Sequence, residues 1–171
     1  TKGVDRLVKL AKNLKKSKID LFIEIYGNAR YDRNYYESID REIRNLKLNN
    51  IFLKGFHENP NLVLKKSLLL LRPSRNNDPW GRDIIESIAS GIPVIASGTD
   101  SDFIINKKNG YLVEDFNIKK ITEIIKDIHS KPSLWNSLLS QSSGCAEPPN
   151  AKMSCDAGGQ ARGRGSTRKT D

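Results

Sequence analysis

A chain of 171 residues is long enough for one domain that buries roughly two thirds of its unfolded surface. Its formal charge of +9 comes from 29 basic and 20 acidic residues interspersed along the chain, which argues against a dedicated nucleic-acid surface. The longest apolar run, SLLLL at residues 67–71, is too short to cross a bilayer and no apolar leader opens the sequence, so a soluble, cytoplasmic protein is expected.

Val4, Leu7, Val8, Ala11 and Leu14 recur at helical spacing, with Arg6, Lys9, Lys12 and Lys16 turned away, which predicts an amphipathic helix. DLFIEIYG then reads as a strand ended by Gly27, and Tyr35, Ile39, Ile43 and Leu46 mark a second helix before the strand IFLKG. The alternation continues with NPNLVLKKS as a short helix, LLLLRPS as a buried strand, GRDIIESIAS as a helix, IPVIAS as a strand and GYLV as the last strand. A helix carrying Ile118, Ile121, Ile125 and Ile128 closes the series. Because the chain enters a helix almost at once, the first strand of the alternation is expected to be missing.

After Leu139 the periodicity gives way to Gly, Ser, Pro and charge, so the domain is assigned to residues 1–140 and a disordered tail to residues 141–171. The tail's five basic and three acidic residues leave +7 on the domain. RGRG in the tail offers an RNA contact, and a non-native terminus is the alternative. Both cysteines, Cys145 and Cys155, lie in the tail, so the domain owes nothing to disulfides and suits a reducing compartment. His57 and His129 lack the short spacing of zinc ligands, and no bound metal is expected.

Short apolar strands separated by helices are what a parallel sheet covered on both faces requires, so the fold class is doubly wound α/β. Ligands of such sheets bind beyond the carboxyl ends of the strands. Here those ends lead into the loops at residues 27–32, 55–61, 74–81 and 97–101.

The loop at 74–81 opens a stretch with two acids eight apart, Asp78 and Glu86. On a helical wheel Ile84, Ile85, Ile88 and Ala89 share one face, and Asp83, Glu86, Ser87 and Ser90 the other, so Glu86 reads first as an ordinary polar-face residue. Position gives it a second reading. A helix start that follows a buried strand presents free N–H groups near Gly81–Asp83 to the ligand edge, which suits a phosphate. The helix dipole contributes only about 0.3–1 kcal/mol, so a cation is also needed, with Arg82, Arg75 and Lys2 as candidates. A carboxylate one turn inside, Glu86, can hold a ribose diol, and Asp78 lies nearer the far end of the ligand.

DPWGRDIIESIASGIPVIAS resembles the nucleotide-sugar motif of retaining glycosyltransferases of GT-B fold, the glycosyl transferases group 1. In that family an acid, seven residues and a Glu continue into small residues and Gly-x-Pro-Val. Asp78 and Glu86 take the acid positions, and Gly91, Pro93 and Val94 match the continuation. Asp78 departs from the usual Glu and is shorter by one methylene. TKGVDRLVKLAKNL, IEIYGNA, IFLKGF, KKSLLLLRPS and NKKNGYLV resemble further family segments in the family's order, over residues 2–139.

The resemblance implies a Rossmann-like half of a GT-B fold that binds a UDP-, GDP- or ADP-sugar as donor substrate, with no cofactor and no metal. It implies that Lys2 neutralises the donor diphosphate and Asp78 contacts the transferred sugar, which are the two catalytic candidates. Gly27 would let the backbone approach the nucleotide, Phe56 and His57 would border the base, Gly81 and Arg82 would meet phosphate, and Glu86 would bind the ribose. Lys2 also reads as a solvated side chain, and His57 as a surface loop residue. The family's partner Arg lies upstream of this sequence. An N-terminal acceptor domain is likewise expected to be missing, so that this half alone would be inactive toward a glycan, lipid or small-molecule acceptor. Two other readings stand beside this one: a non-catalytic nucleotide-sugar-binding module, and a basic membrane-surface module using the helix at 4–16, peripheral to an inner membrane face.

Overall fold

The computed structural model describes residues 2–28, 32–131, 133 and 136–138. The expected tail at 141–171 lies outside the described residues.

Helix α1 spans Val4–Lys16 and buries Leu7, Val8, Leu10, Ala11 and Leu14. It runs past Leu14 because Lys15 and Lys16 in its last turn favour the negative end of the helix dipole. Strand β1 (Ile23–Tyr26) leads to α2 (Arg33–Asn45), where the Asp32 carboxylate caps the first turn by accepting from the Tyr35 amide at 2.9 Å. Next come β2 (Ile51–Gly55) and the short α3 (Pro60–Leu64), which Asn59 caps and Pro60 opens. Strand β3 (Leu70–Arg72), helix α4 (Arg82–Ala89), β4 (Val94–Ser97) and β5 (Gly110–Val113) follow. A 3-10 turn over Glu114–Phe116 leads into α5 (Ile118–Ser130), capped by Asn117. Each element expected from the periodicity within the described residues is present. The strands LLLLRPS and DLFIEIYG are shorter than expected, because pairing covers only Leu70–Arg72 and Ile23–Tyr26.

Among the described residues all strand pairs are parallel and fall into two ladders, β1–β2 and β3–β4–β5. Successive residues of β4 divide between two cores. Ile95 packs with α1, α2 and α5 in the larger cluster, whereas Val94 and Ala96 join Ile84 of α4 and Ile104 in the smaller one. Helices therefore cover both faces of this ladder, as a doubly wound sheet requires.

Among the described residues the β1–β2 ladder is covered on one face only. Ile23, Ile51, Ile39 and Ile43 are buried beneath α1 and α2, while Phe22 and Phe52 on the other face are 65% and 41% exposed. Glu24, Tyr26 and Lys54 share that open face, where Lys54 pairs with Glu24 at 3.1 Å. The expectation of two covered faces thus holds for β4 but not here. The alternation of apolar and polar residues in FIEIY and IFLKG matches a ladder with a wet side.

Candidate functional site

The carboxyl ends of β3, β4 and β5 meet the first turns of α1 and α4. The chain leaves β3 through buried Pro73 and Ser74 and then crosses the ligand edge to Gly81. Three ties hold this loop. Arg6 of α1 donates to the Ser74 carbonyl at 2.7 Å and to Ser97 Oγ at 3.5 Å. Arg75 pairs with Asp5 Oδ1 at 2.6 Å, and the Tyr35 hydroxyl donates to the same oxygen at 2.9 Å. Asn77 Oδ1 accepts from Ser97 Oγ at 2.9 Å and from the Asp115 amide at 2.8 Å, while its Nδ2 donates to Asp115 Oδ1 at 3.1 Å. Asn77 takes a left-handed backbone conformation, φ 49°, that asparagine tolerates better than most residues.

Burial pushes the Asp5 carboxyl up, but the Tyr35 hydroxyl and the Arg75 guanidinium outweigh it and hold Asp5 below its ordinary value. The carboxylate is therefore charged at neutral pH and fastens α1, α2 and the loop at one point.

Helix α4 starts without a side-chain cap. Gly81 precedes it with φ 155°, and a Cβ there would meet Arg72 Nη2 at 3.1 Å. The first helical bonds run from the amides of Ile84 and Ile85 to the Gly81 carbonyl, at 3.1 and 3.3 Å. The amides of Arg82 and Asp83 thus have no backbone acceptor among the described residues. Asp83 favours the helix dipole but would repel an anion. Arg72 offsets it, binding Asp83 Oδ2 at 2.8 Å and the Trp80 carbonyl at 2.9 Å. An uncapped start flanked by compensated charge can receive an anion.

The sequence-derived candidates divide into two groups. Asp78, Gly81, Arg82 and Glu86 share the loop and α4; Asp78 is exposed, and Glu86 is paired with Arg82 at 3.3 Å. The Arg82 side chain is 88% exposed, and an exposed pair of this spacing is worth only about 0.3–0.5 kcal/mol, so it exchanges readily for a ligand. Lys2 joins this group: it is exposed and precedes Gly3, whose left-handed backbone (φ 67°) sits against the Pro73 carbonyl so closely that a Cβ would collide with it. Gly27, Phe56 and His57 gather elsewhere, at the ends of β1 and β2. The Gly27 amide donates to the Gly55 carbonyl at 2.8 Å, Phe56 is 70% exposed, and the His57 ring stands edge-on to Tyr26 at 6.1 Å. Gly27 has no positive φ, so its backbone role is a strand end.

Arg75 requires a correction: expected as a phosphate cation, it is committed to Asp5 instead. Sequence reasoning missed Asp5, Arg6, Asn77, Ser97 and Asp115, whose partners lie 20 to 91 residues away. Only Asn77 left a signal, as an asparagine in a predicted turn. Exposed Trp80, beside the α4 start and edge-on to Phe103 at 6.4 Å, was also overlooked. Among the described residues no three His, Cys, Asp or Glu side chains cluster as a metal site. No helix there is long and apolar enough to cross a membrane.

The fold is a doubly wound sheet whose strand ends present an uncapped helix N-terminus, with Asp78 before it and Glu86 one turn inside. The chain belongs to the glycosyl transferases group 1 family, whose model matches residues 1–141, and forms a C-terminal domain of that transferase family. It is 33% identical over 128 residues to the poly(ribitol-phosphate) alpha-N-acetylglucosaminyltransferase of Staphylococcus aureus (strain COL), covering 73% of this chain and 25% of that protein. It is 28% identical over 142 residues to the poly(glycerol-phosphate) alpha-glucosyltransferase of Bacillus subtilis (strain 168), covering 81% of this chain and 20% of that protein. A variant of S. aureus TarM, solved with fondaparinux, alpha-GlcNAc-glycerol and UDP, superposes with a TM-score of 0.71 at 28% identity, over 83% of this chain and 29% of that one. The chain thus spans a fifth to a quarter of the length of the curated relatives it matches.

Proposed function

We propose that this domain binds a nucleoside-diphosphate sugar and serves transfer of the sugar, with retention of configuration, to an acceptor held by a second domain. The observation that carries this reading is the start of α4, uncapped, placed at the ligand edge and flanked by Asp78 and Glu86. UDP in the TarM complex supports a nucleotide donor. The glycan and polyol-phosphate names among the relatives support a glycan-type acceptor.

In this reading the amides of Arg82 and Asp83, with the Arg82 and Lys2 side chains, meet the diphosphate. Negative charge grows there as the bond from the anomeric carbon to the diphosphate oxygen breaks, so these donors act on the leaving group. An acceptor hydroxyl then bonds to the anomeric carbon and passes its proton to the departing diphosphate oxygen. Glu86 accepts from the ribose diol once it releases Arg82, Asp78 orients the sugar, and Gly27, Phe56 and His57 border the base. No resident cofactor takes part, since the charge is met by side chains and helix N–H groups. The domain alone binds donor without transferring it, because the acceptor site belongs to the other half.

Calorimetric titration with UDP-, GDP- and ADP-glucose tests this. One of the three should bind, and Glu86→Ala should weaken it about 10- to 100-fold, the loss of one or two charge-assisted hydrogen bonds. Unchanged affinity in Glu86→Ala would overturn the site assignment. Absence of binding by all three would overturn the donor-binding reading.

A further inference from the structure

Helices α1 and α5 pack side by side over the larger core and run the same way. Both begin at the ligand edge: Gly3 ahead of α1 sits against the Pro73 carbonyl, and Asp115 ahead of α5 bonds to Asn77. Asn13 of α1 donates to the Thr122 hydroxyl of α5 at 3.0 Å, and that hydroxyl donates in turn to the Ile118 carbonyl at 2.7 Å. Lys9 and Lys16 stand four residues before and three after Asn13, and Lys119 and Lys126 stand three before and four after Thr122. On a helix each lysine pair therefore shares a stripe with its bonded residue, and the bond sets the two stripes against each other. Lys12 widens the α1 stripe toward α2, since it lies seven residues after Asp5, whose partner Tyr35 belongs to α2.

All five lysines are exposed, and none has an ion-pair partner among the described residues. Each row is about 10 Å long, from the rise of seven helical residues, and the rows lie about 8–10 Å apart. The strip is bordered on both sides. On α2 the outward charges neutralise one another, Arg33 with Glu37 at 2.9 Å and Arg44 with Asp40 at 2.6 Å. On α5, Glu123 and Asp127 fall on the flank turned from Thr122, and Asp127 pairs with Lys131 at 3.9 Å. Asp5, the one acid of α1, is held by Arg75 and Tyr35. Unpaired like charges in one strip repel and gather counter-ions, and a single polyanion that displaces several of those ions gains the entropy of their release.

Three features select the kind of polyanion. The strip is two helices wide between neutral and acidic borders, so it fits a line of charge better than a plane. Among the described residues no large apolar side chain of α1 or α5 is exposed, so nothing on the strip enters lipid tails or stacks on bases. Its cations are all lysines, point charges that suit phosphates and lack the fork with which arginine grips a carboxylate. We infer that the strip formed by α1 and α5 is a docking surface for a linear, base-free phosphodiester chain that lies along the helices with one end at the ligand edge. The inference goes beyond donor binding and does not depend on it, since the strip shares no residue with the start of α4.

The test measures, by fluorescence anisotropy at several salt concentrations, binding of a fluorescein-labelled poly(glycerol phosphate) oligomer to the 171-residue chain. Two variants are compared with it. The strip variant carries Lys9→Gln, Lys12→Gln, Lys16→Gln, Lys119→Gln and Lys126→Gln, and the tail variant carries Arg162→Gln, Arg164→Gln and Arg168→Gln, which lie outside the described residues. The strip variant should bind at least about tenfold more weakly, with a log–log salt slope shallower by about 0.7 for each lysine removed, while the tail variant loses less than about threefold. No binding by the unaltered chain, an unchanged slope in the strip variant, or a larger loss in the tail variant would overturn the inference. A uridine oligonucleotide and phosphatidylglycerol vesicles serve as competitors at equal phosphate concentration. Stronger competition by either than by unlabelled oligomer, weakened by the strip substitutions, would overturn the inference by assigning the strip to RNA or to a bilayer.

Discussion

The two ladders of this domain are both parallel but have different surroundings. Strand β4 is buried along its whole length and divides its side chains between two cores, and the loop beyond β3 is tied to α1, β4 and the segment after β5. Strands β1 and β2 bury one face and leave aromatic rings on the other. Around β4, where the candidate site lies, order comes from packing and from long-range polar ties together. Along β1 and β2, order comes from one face of helix packing alone.

That difference can be broken where it is largest. Ile95→Ala removes a side chain 1% exposed on the helix-covered face of the larger cluster, and should cost about 2–5 kcal/mol in denaturant unfolding. Phe22→Ser, on the wet face, should change stability by less than about 0.5 kcal/mol. Comparable losses in the two variants would mean that the open face is packed in solution.

A middle-sized effect comes from the link between the halves. Asp5 has its carboxyl depressed, so its stabilising contribution is present above the unfolded-state value and is lost as pH falls through the folded one. Asp5→Asn should lower stability at pH 7 by about 1–3 kcal/mol, with a smaller deficit in acid where the wild-type carboxylate is itself protonated. A deficit independent of pH would show that the Asp5 charge contributes nothing and that only its shape matters.

The smallest effect sharpens the contrast from the other side. Lys54, paired with Glu24 on the open face, is 43% exposed, and Lys54→Ala should barely move the denaturant unfolding midpoint, less still at high salt.

Much of the fold was legible because its helices and strands are written in local spacing. The recurrence of Leu7, Val8, Ala11 and Leu14, and the run VIAS, each need only a few neighbouring residues to be read. The candidate site was legible only where it is local too. Asp78, Gly81, Arg82 and Glu86 lie on one loop and one helix, whereas the Asp5–Arg75 pair joins residues 70 apart, and no periodicity announces such a partner. Arg75 was misassigned for that reason, since its residue type fits a phosphate as well as a carboxylate. The exposed side of β1 and β2 was visible as alternation but was outweighed by the general rule for parallel sheets.

Asn77 has a thermodynamic consequence beyond its geometry. Its side-chain oxygen receives two donors at once, one from the end of β4 and one from the turn after β5. The loop bearing Asp78 therefore surrenders its conformational entropy during folding, when the sheet forms, and little of that loss is left to fall on the binding of a ligand.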